Sequence, residues 1–184
     1  YLTGRADAVV SEIGGTTTDI AVLKDGRPRT SQEGATVGGF RTMVEAVDMT
    51  TIGLGGDSEV SLSDDSSGNG AAANFKLGPR RVIPLSLLTQ SHGGLVHETL
   101  ARQLRAENTG RMDGRFVVPL RASSFQLAGL GEAERKLYDQ AAAGPVAADR
   151  LAQGNYREQV LNRLVAKGLL MISALTPSDA AHVA

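Results

Sequence analysis

Residues 11–28 read SEIGGTTTDIAVLKDGRP, a glycine pair, three threonines and an aspartate set between apolar runs. Gly14 and Gly15 let a ligand come close to the backbone. Successive amides in such a turn form a concavity that holds an anion. Thr16, Thr17 and Thr18 add hydroxyl donors suited to phosphate oxygens. Asp19, and Glu12 on the preceding apolar run, are hard oxygen groups suited to Mg²⁺ or its waters. Strand, glycine turn, hydroxyls, carboxylate, strand is the order a nucleotide-phosphate hairpin needs. The plain alternative is an ordinary hairpin whose threonines serve strand propensity. The combination of residue types favours phosphate binding.

A second glycine cluster, TIGLGGDSEV, occupies residues 51–60. Gly53 and Gly55 open like a dinucleotide fingerprint, but Ser58 stands where its third glycine belongs and no helix pattern follows. The expectation is close approach to a ligand by Gly55 and Gly56, with Asp57 or Ser58 as polar contacts. A bulge between two strands is equally compatible with the residues. The three histidines form no ligand pattern: His97-Glu98 lacks the second histidine of a zinc helix, because Ala101 stands there. Neither a P-loop nor a nucleophile elbow is present.

The elements that must position these groups are short. Strands are expected at Ala8–Ile13, Asp19–Leu23, Ala35–Thr42 and Met49–Leu54, with a Lys24-Asp25-Gly26 turn and a polar loop at 64–70. Asn74–Leu77 and Arg81–Leu85 are weaker strand candidates. From about His92 the texture changes. Helices are expected at Gly94–Ala106, with Leu95, Thr99, Leu100 and Leu104 near one face, and at Glu132–Ala142, Val146–Ala152 and Tyr156–Lys167. Strands are expected at Arg115–Leu120 and Leu169–Leu175. Gly168 caps the third of these helices, and Thr176-Pro177 opens a last one. The chain therefore divides into a β-rich part, residues 1–90, and a helical part, residues 91–184. Residues 130–175 run in the order of a winged helix.

Bulk composition excludes several classes. A net charge of -1 gives no electrostatic reason to bind nucleic acid or an anionic membrane. In the winged-helix-like stretch, acids offset the basic residues of Tyr156–Lys167, so no basic stripe results. No cysteine is available for disulfides or thiolate metal sites, which fits a reducing, cytoplasmic setting. The start, YLTGRADAVV, lacks the pattern of a signal peptide.

Residues 8–28 (AVVSEIGGTTTDIAVLKDGRP) resemble the second phosphate motif of the hydantoinase/oxoprolinase family, which includes hydantoin utilisation protein A. Residues 37–60 resemble the segment after it, and LGPRRVIP (77–84) and LTPSDAAHV (175–183) match later positions more loosely. The resemblance implies an α/β, actin-like (RNase H-like) ATPase lobe with ATP and Mg²⁺ or another divalent cation as cofactors. It implies hydrolysis of cyclic amides such as hydantoin or 5-oxoproline, where phosphorylating the amide oxygen makes a better leaving group. Gly14 to Thr18 would hold the β- and γ-phosphates, and Asp19 with Glu12 would orient the metal or the attacking group. Glu12 stands where the family usually has Asp. The family's first phosphate motif has no counterpart in this sequence. The expectation is thus a fragment covering the second lobe, inactive alone, whose partners are an N-terminal lobe of the same protein and, in the family, a second subunit. A kinase or carboxylase of the same fold, or a non-catalytic binding module, stays open.

Overall fold

Alternating apolar residues near the start pair as antiparallel strands in the computed structural model, which describes residues 4–34, 36–37, 40–42, 44–62 and 75–183. These residues form two compact units, 1–58 and 59–184. In the first unit, β1 (Ala8–Ile13) pairs with β2 (Thr18–Lys24) in a register that sets Glu12 opposite Asp19. The other edge of β2 is shared by β3 (Arg27–Pro28) and β8 (Met49–Ile52). The β2–β3 turn has positive φ at Asp25 and Gly26, the paired left-handed geometry that Asp-Gly supplies. Between β3 and β8 run β4 (Thr30–Ser31), β5 (Thr36–Val37), β6 (Phe40–Arg41) and β7 (Ala46–Val47), with β4 on β7 and β5 on β6. The strand expected over Ala35–Thr42 is thus two short strands of a hairpin, with 35, 38 and 39 outside the described residues. The loop expected at 64–70 also lies outside them.

In the second unit, β9 (Ser58–Leu62, which begins at the last residue of the first unit) pairs with β10 (Phe75–Arg81). A four-stranded sheet follows in the order β11 (Ile83–Pro84), β14 (Leu170–Ala174), β12 (Phe116–Pro119), β13 (Val146–Ala147). Side-chain alternation sends Val117 and Ile172 to one face and Phe116 to the other. The first face packs on α3 (Glu132–Ala141), α4 (Ala148–Leu151) and α5 (Asn155–Ala166) through Leu137, Leu151, Leu161 and Leu164. The second packs on α1 (Leu85–Leu104) through Leu88 and Val96. This is a helix–sheet–helix arrangement with a mixed α/β core. Among the described residues, no helix is long and apolar enough to cross a membrane.

Two helix expectations need correction, and one helix is additional. The helix expected from Gly94 starts nine residues earlier, at Leu85, and runs through a non-helical His92 (φ -135°, ψ 39°). Its first amides, Leu85 N and Ser86 N, donate to the carboxylate of Asp179 at 3.1 and 2.7 Å. The cap lies 93 and 94 positions away, so no local signal marks this helix start. Its buried face is Leu88, Val96, Thr99 and Gln103, whereas Leu104 is 87% exposed. The helix expected over Val146–Ala152 begins instead as β13, because Val146 and Ala147 pair with Val117 and Phe116. A short helix, α2 (Ser124–Ala128), was not expected, although its Ser123-x-x-Gln126 capping box is visible in the sequence. At the chain's far end, α6 (Pro177–Val183) is capped by Thr176 as expected.

Candidate functional site

The β1–β2 hairpin tip is held by one backbone bond, Gly14 N to Thr17 O at 2.9 Å. Among the described residues, the N–H groups of Gly15, Thr16 and Thr17 donate to no carbonyl or side chain. Three successive free donors at an exposed tip are what an anion-binding turn needs. Among the described residues, the hydroxyls of Thr16 and Thr17 have no hydrogen-bond partner, whereas Thr18 donates its own to Leu54 O at 2.7 Å. That bond turns Thr18 from a candidate ligand donor into a tie between the two glycine segments.

The second glycine cluster lies directly against this tip. Gly56 N donates to Gly14 O at 2.9 Å, and Asp57 N to Gly15 O at 2.7 Å. A Cβ at Gly55 would stand 2.6 Å from Gly14 O and Gly15 C, so only glycine allows this approach. Gly55 was expected to admit a ligand; what it admits is the other loop. Ser58 is buried and its Oγ accepts from Gly55 N at 2.9 Å, closing its own turn. Asp57 comes from the same turn, and a Cβ at Gly15 would meet its Oδ2 at 2.9 Å. Gly14, Gly15, Gly55, Gly56 and Asp57 therefore form one locked double loop from two motifs about 40 positions apart in sequence.

One face of the sheet carries the acids. Asp19 is opposite Glu12 on β1 and opposite Thr51 on β8. Like charges directly across a ladder repel, and a bound cation relieves that repulsion. The Thr51 hydroxyl donates to Asp19 Oδ1 at 2.6 Å. Sequence reasoning missed Thr51, because only the β2–β8 register brings it there. In the second unit, Glu59 is buried in an ion pair with Arg115 Nε at 2.5 Å and Arg80 Nε at 3.8 Å. Among the described residues, no group of three or more His, Asp or Glu is placed to hold a metal. Two carboxylates still suit Mg²⁺, which retains waters and phosphate oxygens for its other positions.

Residues 1–81 match the family model described as hydantoinase/oxoprolinase. That segment is similar to the hydantoinase/oxoprolinase family. Both glycine motifs fall inside the matched residues, and the four-stranded sheet with α1 to α6 falls outside them. The chain is also similar to a solved structure titled nucleotide-free acetone carboxylase, from a study of ATP-dependent acetone carboxylation, at 24% identity and a TM-score of 0.34. That likeness covers 44% of this chain and 10% of the carboxylase chain, so this chain spans about a tenth of its length. The comparison with curated proteins gave no match.

Proposed function

We propose that residues 11–58 form half of the ATP-phosphate site of a hydantoinase/5-oxoprolinase-type enzyme, which uses ATP and a divalent metal to hydrolyse cyclic amides. The observation that carries this reading is the double loop: three free amides at Gly15–Thr17 beside the Glu12–Asp19 pair, all within the family segment. The amides and the hydroxyls of Thr16 and Thr17 would hold phosphate oxygens. Asp19 and Glu12 would hold Mg²⁺, whose charge assists transfer to the amide oxygen. The protein's own share is positioning and charge stabilisation. Under this reading the first unit belongs to an actin-like lobe. Under the same reading the remaining half of the clamp would belong to an N-terminal lobe of the same protein, with a second subunit as the further partner that the family resemblance implies. Residues 130–175 keep their winged-helix-like reading as a protein-contact segment, supported by balanced surface charge.

An amide NMR titration of the chain with ATP and Mg²⁺ tests the reading. Expected are shifts at Gly14–Asp19 and Gly53–Ser58, abolished by Asp19→Ala, with no ATP turnover. No shift at these residues, or shifts indifferent to Asp19→Ala, would sink it.

A further inference from the structure

We infer that Thr51 is a positioning residue for the Asp19 carboxylate, an assignment that rests on the phosphate-site reading of the hairpin. β2 lies between β1 and β8, and the two registers set Glu12, Asp19 and Thr51 side by side on one face. The hydroxyl of Thr51 reaches Asp19 Oδ1 at 2.6 Å, in the short range of a bond to an ionised carboxylate. The terminal torsion of an aspartate is soft, whereas threonine is stiff at χ1. A hydroxyl on a paired strand therefore fixes the plane of a carboxylate that would otherwise rotate.

The bond engages only Oδ1. Among the described residues, Asp19 Oδ2 and both oxygens of Glu12 accept no other hydrogen bond. One face of the sheet thus offers a cation a carboxylate whose orientation is set from outside the β1–β2 hairpin. Partners that orient ligating groups in this way typically change metal affinity when removed. Thr50, next along β8, pairs with Ile20 and lies on the opposite face, which makes it a control on the same strand.

The test is Mn²⁺ binding to the chain in the presence of ATP, read from paramagnetic broadening of the Gly14–Asp19 amides. Metal-free ATP binding is read in parallel in EDTA. Thr51→Val and Thr51→Ala are expected to need roughly 10- to 100-fold more Mn²⁺ for half-broadening. Thr51→Ser restores the wild-type midpoint, Thr50→Val leaves it unchanged, and ATP binding in EDTA is the same throughout. Broadening of Thr51→Val or Thr51→Ala at the wild-type midpoint would overturn the assignment alone. An equal loss in EDTA would overturn it too, because the role would then be structural. Absence of broadening in the wild-type chain overturns the phosphate-site reading and this assignment with it.

Discussion

At position 55, one methyl group decides whether the two glycine loops touch. A Cβ there meets the backbone of Gly14 and Gly15 at 2.6 Å, and backbone cannot swing aside. Gly55→Ala must separate the loops and break two hydrogen bonds, Gly56 N to Gly14 O and Asp57 N to Gly15 O. The expected loss is about 1–3 kcal/mol, measured by urea unfolding of the first unit. Gly53 has nothing within 4 Å of an added Cβ, so Gly53→Ala is the control and changes stability little. Gly15→Ala is a milder case, because it meets the far end of the Asp57 side chain. The residue types of this site were legible in the sequence: Glu12, Gly14 to Asp19, and Gly55 to Ser58 all lie in or against one double loop. Their division of labour was not. Thr18, Gly55 and Ser58 look like ligand contacts in one dimension and hold the loops together in three.

Elements show the same division between local and distant causes. Thr176 and Pro177 announce the start of α6 through local capping chemistry, and the structure keeps it. The start of α1 carries no such mark, because its cap is the Asp179 carboxylate of another helix. That carboxylate also accepts from Thr176 N at 2.8 Å and Thr176 Oγ1 at 2.9 Å, so one side chain fastens two helix starts. Burial pushes the acid of Asp179 up, but hydrogen bonds from Ser86, Thr176 and Leu85 outweigh it and hold it below the ordinary range of an aspartate. Glu134 is lowered too, by its bond to Lys167 at 2.6 Å and against burial, with Gly131 N and Arg163 adding to the effect. A folded pKa below the unfolded one gives stability that is present above the unfolded value and lost as pH falls through the folded one. Stability of the second unit is therefore expected to decline as pH drops below about 4. Asp179→Asn should lower stability at pH 7 by about 2 kcal/mol and flatten that acid limb, seen in urea midpoints across pH. An unchanged acid limb would contradict the clamp.

On the scale of the whole molecule, the two units differ in how they are held. All buried apolar side chains among the described residues, from Val82 to Ala174, lie in residues 59–184. The sheet of residues 1–58 leaves Val9 and Ile13 70% and 72% exposed, on the same face as Val22 and Ile52. Burial of apolar area dominates folding stability. Hydrogen exchange should thus be slowest at β12, β14 and α5 and much faster at β1 and β2; equal protection would refute this ranking. The sequence by itself determined the donor and carboxylate types of the hairpin, its family likeness and most short elements, because residue type, turn chemistry and alternation are local properties. Tertiary structure decided the rest: the docking of residues 53–58 on the hairpin tip, the Thr51–Asp19 bond and the true start of α1. Each depends on backbone register or on a partner 32 to 94 positions distant, and no local pattern encodes that pairing.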